Sequence, residues 1–207
     1  ALVAHKDLAR IAFTGSVPTA KIIAKAAAEN LTPISFELGG KSPLIVFEDA
    51  DLELAATLAV EQYDNAGQVC LSGTRILVHE SIVDEFAAKF RERAAQIKQG
   101  DPRDEATDIG PQIHRVHFDR VKGFVDRAKA EGANIVMGGT PNDELGGLYF
   151  NPTLVLEPTP GSELVTAEIF GPVLAMQKFS NDVEAVRMAN DTEYGLAATV
   201  VTGSREK

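Results

Sequence analysis

An α/β fold, with a mainly parallel sheet covered by helices, is what the order of short apolar runs and amphipathic stretches predicts. Three observations carry it. Runs such as 44–47 and 76–78 have the unbroken hydrophobicity of strands buried on both faces. Stretches between them repeat apolar residues at i, i+3 and i+4, the mark of helices lying on a core. Gly, Pro, Asn and Asp clusters separate the two kinds of segment. With 207 residues, 44% of them hydrophobic, there is material for one sizeable core, or for one domain and part of another.

Taken in order, 10–16 reads as a strand running into a Gly15-Ser16 turn, and Pro18 opens an Ala-rich helix over 21–29. Such a turn aims backbone N–H groups at a helix entrance, which suits a phosphate but is equally common as a plain cap. A strand at 33–38 ends at Gly39-Gly40, the candidate hinge, and a buried strand follows at 44–47. Leu52, Ala55, Ala56, Ala59, Val60 and Tyr63 mark a helix over 49–64. Cys70 then falls in the loop before a strand at 75–78. Val83, Phe86, Phe90, Ala94 and Ile97 give the next helix, stopped by Gly100-Asp101-Pro102. After a polar connection, His117, Val121, Phe124, Val125 and Ala128 give another, leading to a short strand at 134–137. A turn region at 138–147 precedes an extended run at 149–156 and an irregular segment at 162–172. A strand at 173–179, a helix at 181–190 and a last strand at 196–202 complete the order. No internal repeat is present.

A net charge of −10, with no basic stripe, argues against a nucleic-acid partner. No apolar run approaches the roughly 18 residues a bilayer span requires, and the first residues lack a leader pattern, so a cytoplasmic protein without a membrane partner is expected. A single cysteine excludes an internal disulfide. His114 and His117, spaced i, i+3, have no further ligands at short spacing, so no metal site is expected.

Glu37 stands just before a glycine pair that lets a backbone pass close to a ligand, and Cys70 stands on a loop where a thiol is displayed. Together they are the parts of a nucleophile-and-base site. Separately they are as readily a turn and a small packed hydrophobe.

Five motifs decide between these readings. Phe13-Thr14-Gly15-Ser16, Glu37-Leu38-Gly39-Gly40-Lys41, Gly67-Gln68-Val69-Cys70, Gly110-Pro111-Gln112 and Glu168-Ile169-Phe170-Gly171-Pro172 occur in the order and spacing of the aldehyde dehydrogenase superfamily, which the chain resembles along essentially all its length. The resemblance implies a fragment: residues 1–38 close a dinucleotide-binding domain, and 39–207 form a Rossmann-like, three-layer catalytic domain cut short at its end. It also implies NAD(P)-dependent oxidation of a small-molecule aldehyde to an acid through a cysteine thiohemiacetal and thioester, with Cys70 as nucleophile and Glu37 as general base. For NAD or NADP, it implies Gly15 and Ser16 near the pyrophosphate, Glu168 at the nicotinamide ribose, Phe170 beside the nicotinamide, and Leu38 and the more peripheral Gln112 as further contacts. Relatives suggest a homodimer or homotetramer for the parent protein.

One departure is mild: Ala20 replaces a glycine that many relatives carry. Another is an absence, since the family's oxyanion-stabilising Asn and its adenosine-ribose readers would precede Ala1; the isolated chain is therefore expected to be inactive. Two other readings stay open. A CoA-acylating relative would pass the acyl group to CoA, against which Glu37 speaks as a water-activating base. A catalytically silent homologue would keep the fold alone.

Overall fold

The computed structural model describes residues 2–206. Two compact units divide the chain, Ala1–Gly40 and Lys41–Lys207.

In the first unit, β1 (Ile11–Thr14) pairs in parallel with β2 (Ile34–Glu37), joined by α1 (Val17–Ala28). The register sets Thr14 beside Glu37, so the Gly15-Ser16 turn leaves β1 where Glu37 ends β2. Gly15 N–H donates to the Glu37 carbonyl at 3.0 Å and locks that alignment. Helix α1 starts four residues before the expected 21, with Ser16 at its N-cap position and Pro18 in its first turn, where the missing N–H costs nothing. Ile11, Ile23 and Ala27 form its small core.

The second unit is built on a six-stranded sheet with the order β5-β6-β7-β4-β3-β8: β3 is Pro43–Val46, β4 Arg75–His79, β5 Asn134–Met137, β6 Thr153–Leu156, β7 Val173–Phe179 and β8 Thr199–Val201. All neighbours are parallel except β5 with β6. The helices are α2 (Leu52–Val60), α3 (Val83–Ala94), α4 (Arg115–Ala130), the short α5 (Glu163–Thr166) and α6 (Asp182–Asn190). Strand residues alternate between two cores, as the period of two requires. Leu44, Val46, Ile76, Val78, Leu174 and Met176 meet α2 and α3 on one face. Ile45, Leu77 and Phe179 meet α6 on the other, where Val155 and Val173 meet α4 and α5. This is the mainly parallel α/β architecture expected from the sequence.

Three elements differ from expectation. The extended run at 149–156 contributes only Thr153–Leu156 to the sheet, because Pro152 has no N–H to offer a ladder; Phe150 makes an isolated bridge to Pro141. The last strand shortens to Thr199–Val201. The helix expected over 49–64 is regular only to Val60, then tightens into a 3₁₀ stretch, Glu61–Gly67, whose end leaves helical geometry altogether.

Candidate active site

The first unit presents Glu37, exposed at the end of β2, with Leu38 half-buried after it. Ser16, exposed, makes no side-chain cap bond to α1, and its hydroxyl shares a hydrogen bond with Thr19 instead. The entrance of α1 thus keeps its N–H groups clear of a side-chain acceptor.

In the second unit the site residues gather for a topological reason. Strands β3, β4 and β7 are neighbours and all parallel, so the segments entering them lie at one end of the sheet. These segments carry Lys41, Cys70 and Glu168 to Phe170 respectively. Cys70 is half-buried and in no disulfide.

The loop that carries Cys70 is shaped by an unusual turn. Asn65, Ala66 and Gly67 have φ of +49°, +56° and +71°, three left-handed residues in succession. Only the last is glycine, so the first two are strained and held by their surroundings. Gln112 donates to the Ala66 carbonyl at 3.0 Å, and Gln68 donates to the Asn65 carbonyl at 2.9 Å while its Oε1 accepts from Ile113 N–H at 2.9 Å. Gly67 lies directly on the other loop: a Cβ there would come within 2.1 Å of the Gly171 carbonyl oxygen. Glycine is required by both its φ and this close approach. The Gly67-Gln68-Val69-Cys70 and Glu168-Ile169-Phe170-Gly171-Pro172 motifs are therefore packed backbone against backbone.

Gln112 is buried, its amide spent on Ala66 and its Oε1 without a hydrogen-bond partner among the described residues. It braces the Cys70 loop. Glu168 and Phe170 are half-buried, and Phe170 itself sits at φ +60°.

Two buried cations, to which sequence-based reading assigns no role, lie beneath. Arg75, 1% exposed, donates to the carbonyls of Lys41 at 2.8 Å and of Met188 and Ala189, both at 2.7 Å. Lys41 is 2% exposed; burial, aided by the Arg75 charge, lowers its pKa to about 7, and the Glu168 carboxylate pulls in the opposite direction. Their signal in the sequence is a charged residue at the edge of an unbroken apolar strand. Burial also lowers the pKa of His117, whose ring Nε2 lies 2.6 Å from the Phe170 carbonyl. His114 is engaged differently, its Nδ1 accepting from His117 N–H as the N-cap of α4. Among the described residues no three His, Cys, Asp or Glu side chains converge as metal ligands would, and no helix is long and apolar enough to cross a membrane.

A mainly parallel α/β domain thus carries a lone thiol on a loop that packs, at Gly67, against Gly171 of the Glu168–Pro172 motif. The family model described as "Aldehyde dehydrogenase family" matches residues 1–207. Betaine aldehyde dehydrogenase 1 of Rhizobium meliloti (strain 1021) is 47% identical over 204 residues, which cover 97% of this chain and 42% of that protein. Among solved structures, a betaine aldehyde dehydrogenase from Staphylococcus aureus in complex with NAD+ superposes with a TM-score of 0.93 at 42% identity, covering 98% of this chain and 41% of that one. An NADP-dependent enzyme of E. coli gives a TM-score of 0.95 at 32% identity, covering 99% and 43%. The chain belongs to the aldehyde dehydrogenase family. It spans about two-fifths of the length of the relatives it matches.

Proposed function

We propose that the whole protein oxidises an aldehyde to the carboxylic acid, with Cys70 as nucleophile, Glu37 as general base and NAD or NADP as the cofactor. The observation that supports this is the packing of the Cys70 loop, at Gly67, against Gly171 of the Glu168–Pro172 motif, which brings together the segments that bear a thiol, a carboxylate and an aromatic ring. Residues 1–38 are assigned to the dinucleotide-binding domain and 39–207 to the nucleophile-bearing domain, with Gly39-Gly40 as the junction.

Cys70 as thiolate forms an S–C bond to the aldehyde carbon, and the carbonyl oxygen becomes an oxyanion. A bound nicotinamide supplies the hydride acceptor. At the thioester stage Glu37 takes a proton from water, whose oxygen attacks the acyl carbon; the C–S bond breaks and the Cys70 thiolate is released with the acid. Glu168 would hold ribose hydroxyls, Phe170 would bound the nicotinamide, and Gly15 and Ser16, with Leu38 after β2, would line the cofactor side of the first unit. For Gln112 the geometry favours bracing the Cys70 loop over direct contact.

Relatives named betaine aldehyde dehydrogenase make betaine aldehyde the first substrate to try. A cytoplasmic homo-oligomer is part of the same reading and rests on the family likeness alone. The test is aldehyde-dependent reduction of NAD+ or NADP+ by the whole protein, across a panel that includes betaine aldehyde. Activity abolished by Cys70→Ala supports the assignment; activity that survives it refutes it.

A further inference from the structure

One face of α4 reaches three successive carbonyls of the irregular segment opposite. Arg120 Nη2 donates to the Glu168 carbonyl at 2.6 Å and its Nη1 to that of Ile169 at 2.9 Å. His117 Nε2 meets the Phe170 carbonyl at 2.6 Å. A carbonyl only accepts, so this nitrogen carries the proton. The His117 ring also packs edge-on against the Phe170 ring, 5.8 Å between centroids at 69°. Arg120 is itself fixed over Phe124, 5.1 Å from the ring centre. Next along the segment, Gly171 fits against Val121 so closely that a Cβ would lie 2.6 Å from its Cγ2.

These contacts explain how Phe170 stays at φ +60°, a conformation that a bulky residue adopts only where its surroundings over-determine it. A free segment would relax, and the Glu168 carboxylate and the Phe170 ring would lose their common placement.

We infer that His117 and Arg120 are positioning residues which clamp the Glu168–Ile169–Phe170 backbone and so preset the carboxylate and the aromatic ring for the cofactor. The inference rests on the cofactor reading of Glu168 and Phe170 given above. Neither clamp residue touches the reacting atoms.

The test uses the whole protein and compares His117→Ala, His117→Gln, His117→Leu and Arg120→Ala with Glu168→Gln as reference, each checked for its thermal midpoint. His117→Ala is expected to raise the KM for NAD+ or NADP+ about tenfold, the effect of one lost hydrogen bond, with the aldehyde KM little changed. Arg120→Ala should act in the same direction. His117→Gln, whose amide N–H can reach the same carbonyl, should recover most of the cofactor affinity, whereas His117→Leu, of similar bulk without a donor, should not. If Glu168→Gln raises the cofactor KM while His117→Ala and Arg120→Ala leave it unchanged, the clamp is overturned and the cofactor reading stands. Equal loss in His117→Ala and His117→Gln also overturns it. If Glu168→Gln itself has no effect, the cofactor reading fails and the clamp's purpose with it.

Discussion

Replacing Gly67 with alanine perturbs the contact that joins the two motif-bearing loops. The new Cβ would sit 2.1 Å from the Gly171 oxygen, 2.2 Å from its carbonyl carbon and 2.7 Å from the Pro172 nitrogen, all backbone atoms that cannot swing aside. At φ +71° alanine also pays the left-handed penalty, about 1–2 kcal/mol. Forcing the backbones apart adds about 1–3 kcal/mol, the usual cost of overpacking. Gly132, which ends α4 at φ +81°, has nothing within 4 Å of the same added atom, so Gly132→Ala isolates the conformational part. Urea unfolding followed by far-UV circular dichroism suits a chain without tryptophan. Gly67→Ala should lose about 2–5 kcal/mol in total and exceed Gly132→Ala by about 1–3 kcal/mol. Equal losses in the two variants would refute the backbone-on-backbone packing.

Other expectations concern the buried cations. Lys41 has a folded pKa of about 7 against 10.5 for the ordinary group, so between those values the unfolded chain binds the extra proton and stability rises with pH. Below about 7 the lysine is charged in both states and the burial penalty applies in full. Lys41→Met should remove that rise, read as the difference in urea midpoint across roughly pH 7 to 9.5, below the ordinary range of tyrosine; parallel curves for both proteins would contradict it. The upper limit matters because burial raises the Tyr63 phenol well above 10.0, and stability then falls again at higher pH. Arg75→Leu leaves three carbonyls without their donor and should cost more than about 3 kcal/mol in the same assay. Arg75→Lys should recover only part of it, since one ammonium cannot span acceptors on separate segments; full recovery would show that charge alone suffices.

Much of the sheet was legible because strands buried on both faces read as continuous apolar runs, as Leu44 to Phe47 and Ile76 to Val78 do. Where the pattern misled, a single backbone feature intervened, as Pro152 did in shortening the run at 149–156. The left-handed turn at Asn65 to Gly67 was not legible, because alanine at position 66 has no intrinsic preference for that conformation and is held there by Gln112 from a distant loop. Local reading could flag Cys70 and Glu168 singly through their motifs. That the two segments carrying them meet depends on β4 and β7 being parallel neighbours, which sheet order alone reveals. Lys41 and Arg75 were hidden for a different reason: hydropathy counts a charged side chain as surface, and both are almost fully buried. His117, in sequence one half of a weak metal pair, is occupied by the Phe170 carbonyl.

The most direct measurement is the mass of the enzyme-bound acyl group in the whole protein carrying Glu37→Gln. With aldehyde and NAD+ or NADP+ present, the first turnover should proceed and the next should stall, because no base remains to activate water. Steady-state rate should fall by about 10²–10⁴. An acid-quenched digest should then show Cys70 bearing the acyl group as a thioester in near-stoichiometric amount. Finding Cys70 unmodified while turnover continues at the unmutated rate would contradict the division of labour between Cys70 and Glu37.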